Sequence, residues 1–337
     1  MKVAVLNPNG KDPDQLFPDF AGAPDERVHA PVNYHGFAAC TGGGFFRDAD
    51  SIPKEMRGVI LLLTRDLSRA LKAVLRLRRE KKTIVLAWKE SGAHQLAEQL
   101  ARPASIAAFR EICQRADGAI ATTPDLVPLF QSAGTSHVEF IPTPYPCEDE
   151  RWNFSRPDEE KRGVLVGTRE FFIPSRNHLT ALLLIRQIAE GMGEPVTVFN
   201  GDGWRGRRML NSLGYQPESL RIVEQRLPYP KYLRAVAKHH FVFQLDASTV
   251  PGQVAGDCLL ARVPCLGGNG TTERLVFPEL CGWGRTHEQL FDLSARLLEH
   301  PHDCRAFAEK ALESAGHTLS FRRGAEALQS FFEPLLR

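Results

Sequence analysis

Short apolar runs, each followed by an amphipathic stretch, recur in two successive sets, and this alternation constrains the fold more than any other feature of the chain. It is the pattern of a parallel sheet whose crossovers are helices. The first set holds VAVLN at 3–7, GVILLL at 58–63, TIVLAW at 83–88, GAIATT at 118–123 and VEFIP at 138–142. Helices are expected over 65–80, 104–115 and 124–133. Residues 8–57, rich in Gly, Pro and Asp, show no readable period. The second set holds GVLVGT at 163–168, VTVFNG at 196–201, LRIVE at 220–224, FVFQLD at 241–246 and VPCLG at 263–267. Its helices are expected over 175–191, 205–213, 230–238, 252–261, 271–276, 286–299 and 302–315. Between the sets, 148–162 is polar and aperiodic, which reads as a linker. The expected architecture is α/β, with two Rossmann-like doubly wound domains, 1–147 and 163–317, facing a cleft. No repeat of solenoid period is visible.

Within the second set, Phe241 to Glu273 reads as strand, Gly-containing loop, helix, short strand, Gly-rich loop and helix start. Open α/β sheets bind ligands beyond the C-terminal ends of their strands, and helix N-termini favour phosphates. The segment therefore has the layout of half a nucleotide site.

Composition excludes several other classes. At 337 residues, 43% hydrophobic and 24% charged, the chain is of ordinary globular make-up, with length for two domains. A net charge of +2 gives no global attraction for nucleic acid, and none is expected as a partner. The seven cysteines form no C-x-x-C pair and several stand in apolar runs, so reduced thiols in a cytoplasmic protein are expected. MKVAVLNPNGKDPDQ has the look of a first strand rather than a secretory signal. GVILLLT and ALLLI are too short to span a bilayer. The run 65–82 places Leu67, Leu71, Val74 and Leu75 on one helical face with many basic residues elsewhere. Peripheral contact with anionic lipid is one reading of it, and an outer helix packed on the sheet is the plainer one. Asp48-Ala-Asp50 has the letters of a metal-holding D-x-D element, but it sits in a Gly- and Pro-rich loop where aspartates serve turns. No metal and no tightly bound cofactor are expected.

Four segments, in order and at plausible spacing, carry a resemblance to a known family. They are Val164-Leu-Val-Gly-Thr-Arg169 with Arg176 after it, Val198-Phe-Asn-Gly201-Asp-Gly203, Thr249-Val-Pro-Gly252-Gln253-Val-Ala-Gly-Asp257 running on to Pro264, and Gly267-Gly268 to Glu273. Together they resemble the nucleotide-sugar glycosyltransferases of the GT-B fold, glycosyl transferases group 1 type. The resemblance is good over roughly residues 116–300 and weak before them. It implies a nucleoside-diphosphate sugar as donor and a sugar, a lipid-linked molecule or another hydroxyl-bearing molecule as acceptor. It also implies that a C-terminal helix within 318–337 packs back on the first domain.

The chemistry suits those residue types. Breaking a sugar–phosphate bond gathers negative charge on the departing diphosphate, and Arg169 and Arg176, beyond a strand, can fork onto its oxygens, a surface salt bridge to Glu170 or Glu160 being the alternative. By the resemblance, Asp257 accepts hydrogen bonds from a ribose, and Gly201, Gly203, Gly252, Gly267 and Gly268 let backbone approach the donor. A carboxylate in the first turn of a helix is the alternative for Asp257. Two departures stand out. Thr249 occupies the place of a family glutamate that contacts the donor sugar, leaving Gln253 as a neighbouring amide. The chain also lacks a family histidine after its middle strand, where it reads Leu86-Ala-Trp-Lys-Glu90-Ser-Gly-Ala-His94. Glu90 is the candidate base, with Asp12 and Asp14 behind it and His94 as a helix-surface residue. These departures keep two further readings open: a non-catalytic scaffold or binding protein, and a nucleotide-sugar epimerase. A dehydrogenase fits less well, because Gly201-Asp-Gly203 lacks the third glycine of a dinucleotide loop.

Overall fold

All the expected apolar runs form strands, and they sort into two sheets. The computed structural model describes residues 1–8, 10–89, 91–167 and 170–337. Contacts divide the chain into two units, one of Met1–Arg151, Thr249–Pro251 and Gly316–Arg337, the other of Trp152–Ser248 and Gly252–Ala315.

The first unit is built on β1 (Val3–Leu6), β2 (Gln15–Leu16), β3 (Gly44–Phe46), β4 (Gly58–Leu63), β5 (Thr83–Trp88), β6 (Gly118–Ala121) and β7 (Val138–Phe140). Their order is β2-β3-β1-β4-β5-β6-β7, parallel throughout except for β2 against β3. Helices cover both faces, so the central strands read as unbroken apolar runs. Side-chain alternation sends Ala4 and Leu6 to one core with Leu61, Leu86, Trp88 and Phe130. Val3 and Val5 go to the other, with Phe37, Ile60 and Val85. The helix Phe321–Phe332, capped by Ser320, adds Leu328, Phe331 and Phe332 to this second core. The helix Leu67–Arg79 buries Leu67, Ala70, Ala73, Val74 and Leu77. Arg69, Arg76 and Arg78 on it pair with Asp66, Asp50 and Asp117 at 3.3, 2.8 and 2.9 Å. Asp48 caps a single turn by accepting from the Asp50 N–H at 3.1 Å, and the Asp50 carboxylate is the partner of Arg76.

The stretch 8–57 holds β2, β3 and the six-residue helix Tyr34–Ala39. Set among Gly, Pro and Asp residues, elements this short show no period of their own in the sequence. The helix Ala93–Gln99, not among the expected helical ranges although His94 is expected on a helix surface, has seven residues.

The second unit carries β8 (Val164–Val166), β9 (Val196–Phe199), β10 (Leu220–Val223), β11 (Phe241–Gln244) and β12 (Cys265–Gly267). The order is β10-β9-β8-β11-β12 and every pair is parallel. The chain winds outward from β8 in one direction, then restarts on its other side at β11. That reversal makes the C-terminal ends of β8 and β11 a topological switch point, where open α/β sheets bind ligands. Trp152 is buried here, 6.3 Å from the Tyr229 ring, and is a packing residue.

Candidate functional site

At the switch point the chain beyond β11 turns through Leu245 and Asp246 into a loop held from several sides. The Asn177 side chain donates to the Leu245 carbonyl at 3.0 Å, and the Ala247 N–H to the Ser175 carbonyl at 2.8 Å. Asp246 is 4% exposed. One of its oxygens accepts from the Ser248 N–H at 2.9 Å and from the Ser248 hydroxyl, and the other pairs with Arg176 Nη1. Arg176 ends a single turn, Pro174–Arg176, beyond β8, and its Nη2 lies 3.6 Å from Glu170. Among the described residues, its buried Nε has no hydrogen-bond partner. A guanidinium thus stands at the sheet edge, oriented by a buried carboxylate. Arg169 and Glu90 lie outside the described residues.

The glycines of the Gly-rich loops surround a second carboxylate. Glu273, in the helix Thr271–Val276, is 2% exposed. The Gln244 amide donates to its Oε1 at 2.8 Å, while its buried Oε2 has no hydrogen-bond partner among the described residues. A Cβ at Gly252 or Gly270 would fall 2.1 or 2.2 Å from that Oε2, and one at Gly268 3.1 Å from Oε1. Gly267, with φ +81°, brings its backbone so close that a Cβ would sit 1.9 Å from the Gln244 carbonyl oxygen. Glycine is needed at 252, 267 and 268 to make room for Glu273 and the end of β11. Burial pushes Glu273 up to about 7, with the Asp246 charge adding to it and the Gln244 amide and Arg176 opposing.

The remaining sequence-predicted residues occupy several places. Gly201 and Gly203 follow β9 on the same sheet edge, where Gly203, φ +57°, opens the helix Gly203–Asn211. Asn200 fixes that turn by donating to the Gly203 carbonyl at 2.8 Å and to Glu224 at 2.7 Å. Gln253 is exposed at the start of the helix Gln253–Ala261. Asp257, on the same helix, is 3% exposed and accepts from the Tyr229 hydroxyl. Thr249, half-buried, belongs to the short segment grouped with the first unit. His94 is exposed on its helix.

No family model matches the chain, and the comparison with curated proteins found no match. Solved structures do. A UDP-forming trehalose-phosphate synthase from Burkholderia xenovorans superposes with a TM-score of 0.61 at 9% identity, over 83% of this chain and 74% of that one. A trehalose-6-phosphate structure from E. coli bound with UDP-2-fluoro glucose gives 0.60 at 10% identity, over 81% and 73%. A glycosyltransferase from Rickettsia africae gives 0.59 at 10% identity, over 83% and 76%. The chain has the GT-B fold.

Sequence reasoning gave no role to Asp246, Gln244, Tyr229 or Glu273. Asp246 stood in plain view at the end of an apolar strand, the position from which a GT-B sheet presents polar groups. Glu273 ended the Gly-rich element, and the density of glycines around it was the available sign that something bulky and buried had to be accommodated. Tyr229 lies 28 residues before Asp257, and no local pattern links them.

Proposed function

We propose that the protein transfers a sugar from a nucleoside-diphosphate sugar to a hydroxyl-bearing acceptor. The observation that carries this reading is the guanidinium of Arg176, held by buried Asp246 at the switch point of a GT-B sheet. In the reaction the bond between the anomeric carbon and the diphosphate oxygen breaks and a bond to the acceptor oxygen forms. The acceptor proton passes to a base, and the negative charge stays on the leaving diphosphate. Arg176 and Arg169 meet that charge, and because Asp246 already fixes Arg176, little reorganisation is needed as the charge develops. Asp257, its carboxylate positioned by Tyr229, is the ribose partner. The glycines at 201, 203, 252, 267 and 268 border the donor, and Glu90, two residues past β5 in sequence, is the base.

The test is thermal stability against nucleoside diphosphates and nucleotide sugars, native protein beside Arg169→Ala, followed by detection of released nucleoside diphosphate with candidate acceptors. One nucleotide is expected to raise the midpoint, since a ligand of the folded state alone stabilises it, and the mutant is expected to lose the rise. No shift with any nucleotide would overturn the reading. Thr249, standing where the resembled family has a glutamate, favours a second reading as a nucleotide-sugar-binding protein without turnover. Specific binding with no product would select it.

A further inference from the structure

The first unit carries a cleft that the site in the second unit does not use. It encloses about 350 Å³ between the helices Ala93–Gln99 and Leu126–Ser132, which follow the adjacent parallel strands β5 and β6. Both helices start beyond the C-terminal ends of their strands, the end at which open α/β sheets hold ligands. Leu96, Ala97 and Leu100 line the cleft on one side and Leu126 and Leu129 on the other. Leu96, Leu100 and Leu129 are only partly buried against the core, so apolar surface is left facing outward. Among the described residues, the polar part of the lining is Ser91, Asp125 and Thr249, with no Lys, Arg or His. We propose that this cleft holds the acceptor in the sugar-transfer reading, on which the inference rests, and that the acceptor is a neutral molecule whose hydroxyl is carried on an apolar ring body.

Size and lining speak for a small apolar body. A cleft of a few hundred Å³, walled mainly by aliphatic side chains with a few polar groups among them, is the ordinary make of a small-molecule site. A closed cavity of about 150 Å³ takes up one benzene ring, so this cleft has room for a fused-ring body. A bare sugar ring would set its hydroxyls against leucine side chains, each giving up water with no partner in return.

Charge and hydrogen bonding set the polar end of the acceptor. Phosphate and carboxylate groups are held by arginine or lysine, and the ionisable group on this wall is instead the exposed carboxylate of Asp125, which repels an anion. Ser91 is 2% exposed, and its hydroxyl has no hydrogen-bond partner among the described residues. A buried hydroxyl left in that state is a cost to the fold, and a bond to the acceptor hydroxyl removes it. Ser91 also follows Glu90, the proposed base, in the chain, so a hydroxyl held at residue 91 is one residue in sequence from the group that takes its proton.

Binding to this cleft is read without nucleotide, and nucleotide binding without an acceptor, so the two proposals fail separately. The probe is 2-naphthol, measured by equilibrium dialysis against the full-length chain beside 2-naphthoate, which has the same rings and an anionic head, and glucose 6-phosphate. One saturable equivalent of 2-naphthol is expected, with weaker binding of 2-naphthoate and none of glucose 6-phosphate. Ala97→Trp, at an exposed helix position, fills the cleft and should abolish 2-naphthol binding while the thermal response to nucleotides stays as in the native protein. Ser91→Ala should weaken 2-naphthol about fivefold, the worth of one neutral hydrogen bond. Asp125→Asn should narrow the preference for 2-naphthol over 2-naphthoate. The proposal is overturned by the absence of a saturable equivalent, by an equivalent that survives unchanged in both Ala97→Trp and Ser91→Ala, or by a preference for glucose 6-phosphate. A protein that binds 2-naphthol in this way and no nucleotide would remove sugar transfer and leave the cleft standing as a site for apolar ring molecules.

Discussion

Glu273 is a fully buried carboxyl of the second unit, and the sign of its effect on stability follows from that burial. Its carboxyl titrates at about 7 in the fold against 4.5 when free, so between those values the native state holds a proton that the unfolded chain has released. The stability it contributes is present below pH 4.5 and is lost as pH rises through 7, by about 3 kcal/mol in all. His178 and His239, held down at about 4 by burial, run the other way and add stability as pH climbs from 4 to 6.5. The native curve alone is therefore a blend. The difference between native protein and Glu273→Gln isolates the carboxyl, since glutamine can still accept from Gln244. Urea midpoints across pH 4–8 should show the variant gaining on the native protein as pH rises, and parallel curves would mean that Glu273 is not protonated in the fold. Arg176 and Asp246 invite a different comparison. Arg176→Gln strips a buried carboxylate of its cation and is expected to cost about 3 kcal/mol, the low end for a buried pair because the arginine is partly exposed. Adding Asp246→Asn should restore most of that stability without restoring diphosphate binding, which separates the structural role of the arginine from its binding role. If the double variant binds the diphosphate as tightly as native protein, the arginine does not contact it.

At the scale of elements, the loops after β9 and β12 carry the same residue for different reasons. Gly267→Ala would place a Cβ 1.9 Å from a backbone oxygen at φ +81°, a clash no side-chain motion can relieve. A loss of about 3 kcal/mol or more is expected in urea denaturation, with an unchanged slope. Gly203, also left-handed at φ +57°, has no atom within 4 Å of where an alanine Cβ would stand, so Gly203→Ala should cost only about 1 kcal/mol for the backbone conformation. Equal losses at the two sites would remove the close approach as the explanation. The same contrast explains what was legible in the sequence. Every long apolar strand could be read because a sheet covered on both faces imposes an unbroken hydrophobic run. The placement of a site beyond the strand ends followed, since it depends only on which loops after the strands hold polar groups; the strand order that makes it a switch point is tertiary and could not be read. The cleft between Ala93–Gln99 and Leu126–Ser132 could not be read either. Each of these helices has seven residues, the first lies outside the expected ranges, and no sequence period ties one to the other. Tyr229 with Asp257, which joins two helices, and Asp246 with Arg176, which joins the loops beyond two strands, are likewise tertiary pairings.

On the scale of the whole molecule, the chain does not finish its first unit until its end. Residues 316–337 return to the unit begun at Met1, and the helix Phe321–Phe332 supplies Leu328, Phe331 and Phe332 to the core beside Val5, Ile60 and Val85. Gly58 and Gly118 record how tightly that helix is seated, since a Cβ at either would come within 2.9 or 3.0 Å of the Phe332 or Phe331 ring. The first unit is therefore discontinuous in sequence, and its stability depends on a segment synthesised after the whole second unit. Removing three large buried side chains costs several kcal/mol each by transfer and cavity terms, comparable in sum to the stability of a domain. Truncation after Leu319 should then unfold the first unit and spare the second. Trp88 lies in the first unit and Trp152, Trp204 and Trp283 in the second, so single-tryptophan variants can follow each unit through denaturation. In the truncated chain the Trp88 signal is expected to be that of unfolded protein in buffer, while the Trp152 signal keeps a cooperative transition. A Trp88 transition that survives would show that the sheet and its other helices suffice. Loss of both signals together would mean that the second unit cannot hold its fold without the first.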